Sequence, residues 1–347
     1  MNLEERIIAF SELGEILRNS IAGQDDEYSV SLNNLIINQE KINPWFTPGN
    51  VRMALKAIGD ELTYDNLKKW TDAYPALNKI SNPVTVGVVM AGNIPAVGFH
   101  DFLSVLISGN RIIAKTSSKD SELIIHLSNI LCSINSNFSG YINFTNDFLS
   151  GFDAVIATGN DNSSRYFEYY FGKYPHIIRK NRNSIAVIKG DETSGELENL
   201  GIDIFSYFGF GCRNVSKVFL PYGYDLSDMI KNWSGYSNII NHSKYANNYD
   251  YNMAIYLVNK EKLLDAGFLL LKECHDLSSP VSVLYYEFYN SEDNLKALIN
   301  VFHETIQCIS GRNYIPFGKS QLPKLWDYAD NLDTIDFLLK INLPGIL

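Results

Sequence analysis

The sequence predicts an α/β protein built around a mostly parallel sheet. Short runs rich in β-branched residues, beginning with residues 84–90, alternate with helix-like stretches up to about residue 171. A continuous apolar run of this kind is typical of a strand covered on both faces, and strands separated by helices form βαβ units. The 347 residues are 46% hydrophobic, which is enough for two or three domains with a large core.

The elements follow one another in a regular order. Residues 1–80 alternate helix-like stretches with polar breaks, including a helix expected at 48–62. The first strands are predicted at 84–90, 111–115, 141–144 and 153–157, with helices ending near 107 and spanning 120–134 and 160–171. A second set has a helix to about 208, strands at 214–220, 252–258 and 281–288, and a last strand at 333–341. We therefore predict a helical N-terminal region and nucleotide-binding domain at 1–195, a catalytic domain at 196–318, and a C-terminal tail with an oligomerisation strand at 319–347.

Charge and cysteine content argue against several classes of function. The net charge of -10 disfavours nucleic acid or a membrane surface as a partner, because both are bound by basic faces. The acidic start, and the lack of an apolar run near the roughly 20 residues of a spanning helix, predict neither a signal peptide nor an anchor. The four cysteines lack CxxC spacing and the six histidines lack metal-ligand spacing. We expect a cytoplasmic protein with reduced thiols and no metal site.

Cys212 is the candidate nucleophile. Gly209 and Gly211 precede it and a predicted strand follows, so the backbone can turn sharply and present the thiol beside N–H donors. A cysteine without a disulfide is more often a small buried core residue, which is what we expect for Cys132, Cys274 and Cys308. For Cys212 both interpretations stay open on spacing alone.

Polar residues follow three of the predicted strands. Asn93 lies in the turn after residues 84–90, Lys115 ends the next strand, and Thr158 and Gly159 stand between a strand and a helix. At the carboxyl edge of a parallel sheet such residues can face a ligand, and a helix start can bind phosphate. Each also has an ordinary alternative, namely a turn asparagine, a solvated lysine and a strand–helix junction without GxGxxG.

Taken together and in order, these segments resemble the aldehyde dehydrogenase superfamily, and within it the acyl-CoA reductase family typified by the reductase subunit of bacterial bioluminescence. The similarity runs from about residue 84 to 337. The segments that carry it are Gly92-Asn93-Ile94-Pro95, Gly109-Asn110 through Lys115-Thr116-Ser117-Ser118, Thr158-Gly159-Asn160, Gly211-Cys212, Asp276-Leu277-Ser278-Ser279-Pro280-Val281 and Ile315-Pro316-Phe317-Gly318.

The resemblance implies an aldehyde dehydrogenase-like fold, with a Rossmann-type parallel-sheet cofactor domain and an α/β catalytic domain. It implies that Cys212 is the nucleophile and that the Asn93 amide helps to form an oxyanion hole. It also implies roles in cofactor binding, at the adenine ribose for Lys115, Ser117 and Ser118, near the pyrophosphate for Thr158 and Gly159, and at the nicotinamide ribose for Asp276.

Two departures from the superfamily pattern are informative. Hydrolytic members carry a Glu-Leu-Gly-Gly stretch whose glutamate activates water, whereas residues 179–184 contain no carboxylate. The acyl-cysteine should therefore resist hydrolysis. Separately, we expect the basic cluster at 179–182 to be a solvated strand end. Ser118 stands where an acid usually repels a 2′-phosphate, so we expect NADPH as cofactor, with NADH possible.

The expected reaction is reduction of an acyl thioester such as acyl-CoA to an aldehyde, by way of an acyl-Cys212 intermediate. One alternative is an NAD(P)-dependent aldehyde dehydrogenase that works in the oxidative direction. Another is a catalytically silent α/β binding protein, which the reactivity of Cys212 toward an acyl donor would distinguish. A homodimer is expected, because a late strand pairs across subunits in the superfamily and an unpaired edge strand invites aggregation.

Overall fold

The computed structural model describes residues 1–80 and 82–342. The helices are α1 (Leu3–Ile21), α2 (Glu27–Ile42), α3 (Pro48–Glu61), α4 (Tyr64–Asp72), α5 (Phe99–Ile107), α6 (Glu122–Ile134), α7 (Asp161–Phe171), α8 (Ser194–Phe205), α9 (Leu226–Asn232), α10 (Ser243–Val258), α11 (Glu292–Val301) and α12 (Thr334–Asn342). The strands are β1 (Thr85–Val89), β2 (Arg111–Lys115), β3 (Ile142–Phe144), β4 (Ala154–Thr158), β5 (His176–Arg179), β6 (Asn183–Val187), β7 (Val215–Pro221), β8 (Leu264–Asp265), β9 (Leu270–Glu273), β10 (Val283–Tyr289) and β11 (Ile306–Ser310).

The chain divides into two compact units. The first consists of Met1–Asn181 and the described part of Lys324–Leu347, and the second is Arg182–Pro323. We predicted the first boundary near residue 195, but β6 hydrogen-bonds to β7 and β11 of the second sheet. Strand pairing therefore moves the boundary back to residues 181 and 182.

The first unit contains a parallel five-stranded sheet in the order β3-β2-β1-β4-β5. Its central strand β1 buries Val86 and Val88 completely, as the continuous apolar run predicted. Side-chain hydrogen bonds cap the starts of α1, α2, α3, α4 and α7, and in α1 Asn2 and Glu5 form a capping box. The predicted α/β fold with a parallel sheet is confirmed here.

The second unit contains a mixed six-stranded sheet in the order β11-β6-β7-β10-β9-β8. The pairs from β11 to β9 are parallel, and the short edge strand β8 runs antiparallel to β9. The predicted strand at 252–258 is wrong, because those residues belong to helix α10. The buried side chains Tyr245, Tyr249, Asn252 and Tyr256 follow the spacing of one helix face, and two of these four residues precede the predicted strand.

The predicted strand at 333–341 is also wrong. These residues form α12, which begins where the Asp333 carboxylate accepts the N–H of Asp336 at 2.9 Å. Ile335, Leu338 and Leu339 are buried in the core of the first unit at helical spacing. The segment is therefore no pairing strand, and the homodimer stays a prediction without that support. Among the helices described, none is long and apolar enough to cross a membrane.

Candidate active site

The carboxyl ends of β1, β2 and β4 lie at one edge of the first sheet. The chain builds β2 and β3 on one side of β1 and then returns to place β4 and β5 on the other. The gap between β1 and β4 is therefore a topological switch point, where open α/β sheets bind ligands. Because the Met90 N–H donates to the Lys115 carbonyl at 2.9 Å, the turns after β1 and β2 start side by side.

The turn that carries Asn93 packs directly against the turn after β2. A Cβ atom at Gly92 would lie 2.5 Å from the Ser117 Oγ, so only glycine allows this approach. Asn93 is half-buried in this turn. Three residues later Ala96 has a φ of 54°, a left-handed conformation that costs a non-glycine residue on the order of 1 kcal/mol or more.

Asp120 holds this strained turn, and the sequence contained no sign of its role. Its Oδ2 atom accepts the Ala96 N–H at 2.7 Å, and the side chain is only 3% exposed. Burial raises the pKa of Asp120 to about 7, although hydrogen bonds from the Ala96 and Leu123 N–H groups oppose that shift. The other oxygen, Oδ1, has no hydrogen-bond partner among the described residues. Asp120 thus links the Asn93 turn to the start of α6.

The proposed ribose-binding residues occupy the turn after β2. The Lys115 Nζ donates to the Asp147 carbonyl at 2.8 Å and to the Asn146 carbonyl at 3.3 Å, so two of its three N–H groups are engaged. The Ser117 Oγ accepts the backbone N–H of Lys119 at 3.2 Å. The side chain of Ser118 is exposed. The hydroxyl of Ser118 can therefore reach a ligand, while Lys115 also anchors the loop after β3.

Thr158 and Gly159 lead from β4 directly into α7. The Gly159 N–H donates to the carbonyl of Arg179 at the end of β5, at 3.3 Å. A Cβ at Gly159 would lie 2.8 Å from Ser163 and Phe167 of α7, so glycine permits close packing of helix and strand. The first turn of α7 thus starts at the switch point, and such a helix N-terminus favours phosphate. The residues of this edge fit a dinucleotide cofactor.

Arg179 is not the solvated residue that the sequence suggested. Its side chain is 3% exposed, forms an ion pair with the buried Asp101 carboxylate, and donates to the Thr334 Oγ1 at 2.9 Å. Arg179 ends β5, Asp101 lies in the first turn of α5, and Thr334 starts α12. The expectation failed because Asp101 and Thr334 are far away in sequence, at separations of 78 and 155 residues.

In the second unit, Cys212 follows a strongly bent segment. Tyr207, Phe208 and Gly209 have φ values of 52°, 57° and 83° in succession. Gly209 adopts this conformation without strain, but the two aromatic residues each pay on the order of 1–3 kcal/mol. Strain of this kind persists where the surroundings hold it in place, and it clusters at functional sites. The glycines alone therefore do not explain the bend.

Asn214 holds the bend and was missed in the sequence. Its Oδ1 accepts the Gly211 N–H at 2.8 Å, and its amide donates to the carbonyls of Ser206 at 2.8 Å and Asp203 at 3.0 Å. The side chain is 2% exposed, so these bonds have no competition from water. One amide therefore fixes the end of α8, the left-handed segment and the residue before Cys212.

The Ser184 hydroxyl holds the Cys212 backbone from the other side. The Ser184 Oγ donates to the Cys212 carbonyl at 2.9 Å and in turn accepts the Cys308 N–H at 3.2 Å. The Cys212 side chain is half-buried, between the exposure of a surface residue and that of a core residue. The main chain at Cys212 is thus held on both sides, which presents the thiol in a fixed direction.

The other three cysteines have different surroundings. Cys308 is buried in β11 and Cys132 packs half-buried against the core of the first unit, as expected for core residues. Burial raises the pKa of the Cys132 thiol, which makes it a poorer nucleophile. Cys274 packs half-buried against a core cluster of the second unit, as expected, and its thiol also donates to the Asp276 carboxylate at 3.7 Å.

Asp276 lies in an exposed position in the loop after β9. The carbonyl of the following residue, Leu277, accepts a hydrogen bond from the Ser216 Oγ at 2.8 Å. Ser216 is the second residue of β7, the strand that begins shortly after Cys212. The second unit thus brings the segments of Cys212 and Asp276 together, as the first brings together those of Asn93, Lys115, Ser117, Ser118, Thr158 and Gly159.

Comparisons with known proteins agree with this architecture. The sequence profile of the family described as acyl-CoA reductase (LuxC) matches residues 24–225, more than half of the chain. A search of curated protein sequences found no match. Among solved structures, the chain is similar to aldehyde dehydrogenase 21 from Physcomitrella patens in complex with the reaction product succinate, with a TM-score of 0.66 and 11% identity, covering 100% of this chain and 88% of that one.

Two bacterial structures are similar to a comparable degree. The aldehyde dehydrogenase of Mycobacterium tuberculosis complexed with NAD⁺ has a TM-score of 0.62 and 12% identity, covering 86% of this chain and 71% of that one. The NAD-dependent aldehyde dehydrogenase of Sinorhizobium meliloti has a TM-score of 0.62 and 13% identity, covering 93% and 72%. At these identities the likeness shows that the fold is that of aldehyde dehydrogenases.

Proposed function

The chain belongs to the acyl-CoA reductase (LuxC) family, and on this premise we propose that it reduces an acyl thioester to an aldehyde through an acyl-Cys212 intermediate. The observation that carries the proposal is the setting of Cys212. Its backbone is braced by Asn214 and Ser184 behind two strained residues. A core cysteine needs no such support, whereas a nucleophile gains from a fixed direction of attack.

The chain's own residues carry the acyl transfer. The Cys212 thiolate attacks the thioester carbonyl carbon, a new C–S bond forms, and the CoA thiolate leaves with the electron pair of the old one. The backbone N–H of Cys212 and the Asn93 amide are assigned to the oxyanion of the tetrahedral intermediate. A donor of this type contributes about 3–4 kcal/mol to catalysis. When bound, the reduced nicotinamide supplies a hydride to the acyl carbon, which releases the aldehyde and returns the thiolate.

Thr158 and Gly159, with the first turn of α7, are assigned to the pyrophosphate, and Asp276 to the nicotinamide ribose. Lys115, Ser117 and Ser118 are assigned to the adenine ribose. NADPH is proposed over NADH, because position 118 carries no carboxylate to repel a 2′-phosphate and Ser118 offers an exposed hydroxyl there.

Resistance to hydrolysis follows from the same residues. The stretch after β5 contains no carboxylate, and the buried carboxylate of Asp101 is occupied by the ion pair with Arg179. Water near the acyl-enzyme would therefore lack the general base that this stretch supplies in hydrolytic members. A reducing compartment such as the cytoplasm suits the proposal, because the nucleophile must stay reduced.

Acylation of Cys212 tests the proposal. The protein is mixed with acyl-CoAs of several chain lengths without reductant, and intact mass is measured before peptide mapping. We expect one added acyl group on the Cys212 peptide, lost in Cys212→Ala and kept in the control Cys132→Ala. An adduct confined to Cys132, Cys274 or Cys308, with Cys212→Ala still active, would overturn the assignment. No adduct on any cysteine would favour a silent binding protein instead.

A further inference from the structure

Two consecutive residues of β7 donate hydrogen bonds to the backbone carbonyls on either side of Asp276. The Lys217 Nζ donates to the carbonyl of His275 at 2.9 Å, and the Ser216 Oγ donates to the carbonyl of Leu277 at 2.8 Å. Asp276 itself lies between these anchors and is exposed. Its position therefore depends on the two flanking carbonyls rather than on burial of its own side chain.

The ammonium group of Lys217 is fully buried, with no exposed side-chain surface. It donates to the Glu287 carboxylate at 2.5 Å and lies 5.1 Å from the ring centroids of both Phe219 and Phe302. The other carboxylate oxygen of Glu287 bonds the Nδ1 atom of His275 at 2.7 Å. Lys217 and Glu287 thus hold His275 at its carbonyl and at its ring.

Strand β7 also connects these hydrogen bonds to the segment of Cys212. The Ser216 Oγ also lies 3.4 Å from the Ser184 carbonyl, and the Ser184 Oγ donates to the Cys212 carbonyl at 2.9 Å. The Ser216 Oγ therefore lies between Leu277, to which it donates its one proton, and Ser184, whose own hydroxyl bonds the Cys212 carbonyl. Packing alone would not require a lysine at position 217. An apolar residue would fill the space beside the two phenylalanines without the desolvation cost of a buried ammonium group.

We propose that Ser216, Lys217 and Glu287 are positioning residues that fix Asp276 relative to Cys212. The inference rests on the proposed function, in which Asp276 binds the ribose next to the hydride donor and Cys212 carries the acyl group. Hydride transfer requires the donor and the acyl carbon to meet within a narrow range of distance and angle. Through Ser216 and Ser184, the segments of Asp276, which orients the cofactor, and of Cys212, which holds the acyl group, are supported by the same strands.

Ser216→Ala and Glu287→Gln are the test variants, and Ser216→Thr is the conservative one, because it keeps the hydroxyl. Glu261→Gln is the matched control, since Glu261 pairs with Lys272 in the same unit. NADPH binding is measured by fluorescence titration, acylation by intact mass, and discharge of preformed acyl-enzyme by rapid mixing with NADPH. We expect Ser216→Ala and Glu287→Gln to weaken NADPH binding or slow discharge about tenfold, with acylation within about twofold of wild type.

Ser216→Thr should recover most of the loss, and Glu261→Gln should match wild type. Asp276→Ala separates the two levels of inference. If Asp276→Ala loses NADPH affinity while Ser216→Ala and Glu287→Gln behave like Glu261→Gln, the positioning role is wrong and the ribose assignment stands. If Asp276→Ala leaves NADPH binding and discharge intact, the ribose assignment itself fails and the positioning role fails with it.

Discussion

Replacing Asp120 by asparagine probes the buried carboxyl group that supports the Asn93 turn. The side chain is 3% exposed, and its Oδ2 atom accepts the Ala96 N–H at 2.7 Å. Asparagine has almost the same shape and keeps a carbonyl oxygen for that N–H, but it cannot ionise. Asp120→Asn should therefore preserve the turn and remove one titration from the folding equilibrium.

The magnitude follows from the pKa of Asp120, which burial raises from 3.8 to about 7 in the folded protein. The shift is about three pK units, so ionisation of the folded state costs about 4 kcal/mol. Below about pH 4 the carboxyl is protonated in both the folded and the unfolded state, and the cost is absent. Between about pH 4 and 7 only the unfolded state releases the proton, so wild-type stability falls by about 1.4 kcal/mol per pH unit.

Urea unfolding at pH 5, 6, 7 and 8 measures the effect. The free energy of unfolding of Asp120→Asn minus that of wild type should rise by about 1.4 kcal/mol per unit up to pH 7 and then level off. Asp25→Asn, at an exposed aspartate of the same unit, is the matched control. A difference for Asp120→Asn that does not change with pH would refute the claim that burial keeps this carboxyl protonated.

Three further predictions concern the site. Asn214→Ala leaves the Gly211 N–H and two carbonyls without their partner, so it should lower the free energy of unfolding by about 2–4 kcal/mol and slow acylation of Cys212. Urea unfolding and intact mass measure both, and an unchanged acylation rate would show that the bend does not orient the thiol. Asp101→Asn should destabilise the protein by about 3–5 kcal/mol, because it leaves the buried Arg179 charge without a counter-ion. A loss below 1 kcal/mol would mean that water reaches the pair. Ser118→Glu should reduce kcat/KM for NADPH at least tenfold and leave that for NADH within about threefold, while Ser139→Glu, at another exposed serine, changes neither. Equal NADPH efficiency in Ser118→Glu would place the 2′-phosphate elsewhere.

The parts of the fold that the sequence predicted well are those with local signals. Strand β2 has the predicted bounds, and β1 lies within its predicted range, because short runs of buried β-branched residues differ clearly from the helices around them. The segments 252–258 and 333–341 failed for the opposite reason. Seven to nine apolar-rich residues show too little periodicity to separate a strand from one side of a helix, and in α10 most of the buried tyrosines come earlier.

The candidate site shows the same division. Cys212 and the turns after β1, β2 and β4 were proposed as site residues from residue type and order along the chain, and their roles stay predictions. The residues that support them could not be proposed in this way. Asp120 reaches Ala96 across 24 residues and Lys217 reaches Glu287 across 70, and neither contact has a local pattern. The positive φ of Tyr207 could not be predicted either, because aromatic residues rarely adopt one and the sequence carries no signal for it.

The discontinuous first unit affects how the protein is made. The Trp70 Nε1 donates to the Tyr328 hydroxyl at 2.7 Å. Arg179 donates to the Thr334 hydroxyl, which lies 155 residues further along the chain. A ribosome that adds about 5–20 residues per second needs roughly 8–30 s to synthesise that interval. During this time the second unit is translated in full while the Arg179–Asp101 pair still lacks Thr334. The first unit therefore completes its core only after α12 has been translated, and a nascent chain stalled before residue 324 should expose the apolar surface that α12 later covers.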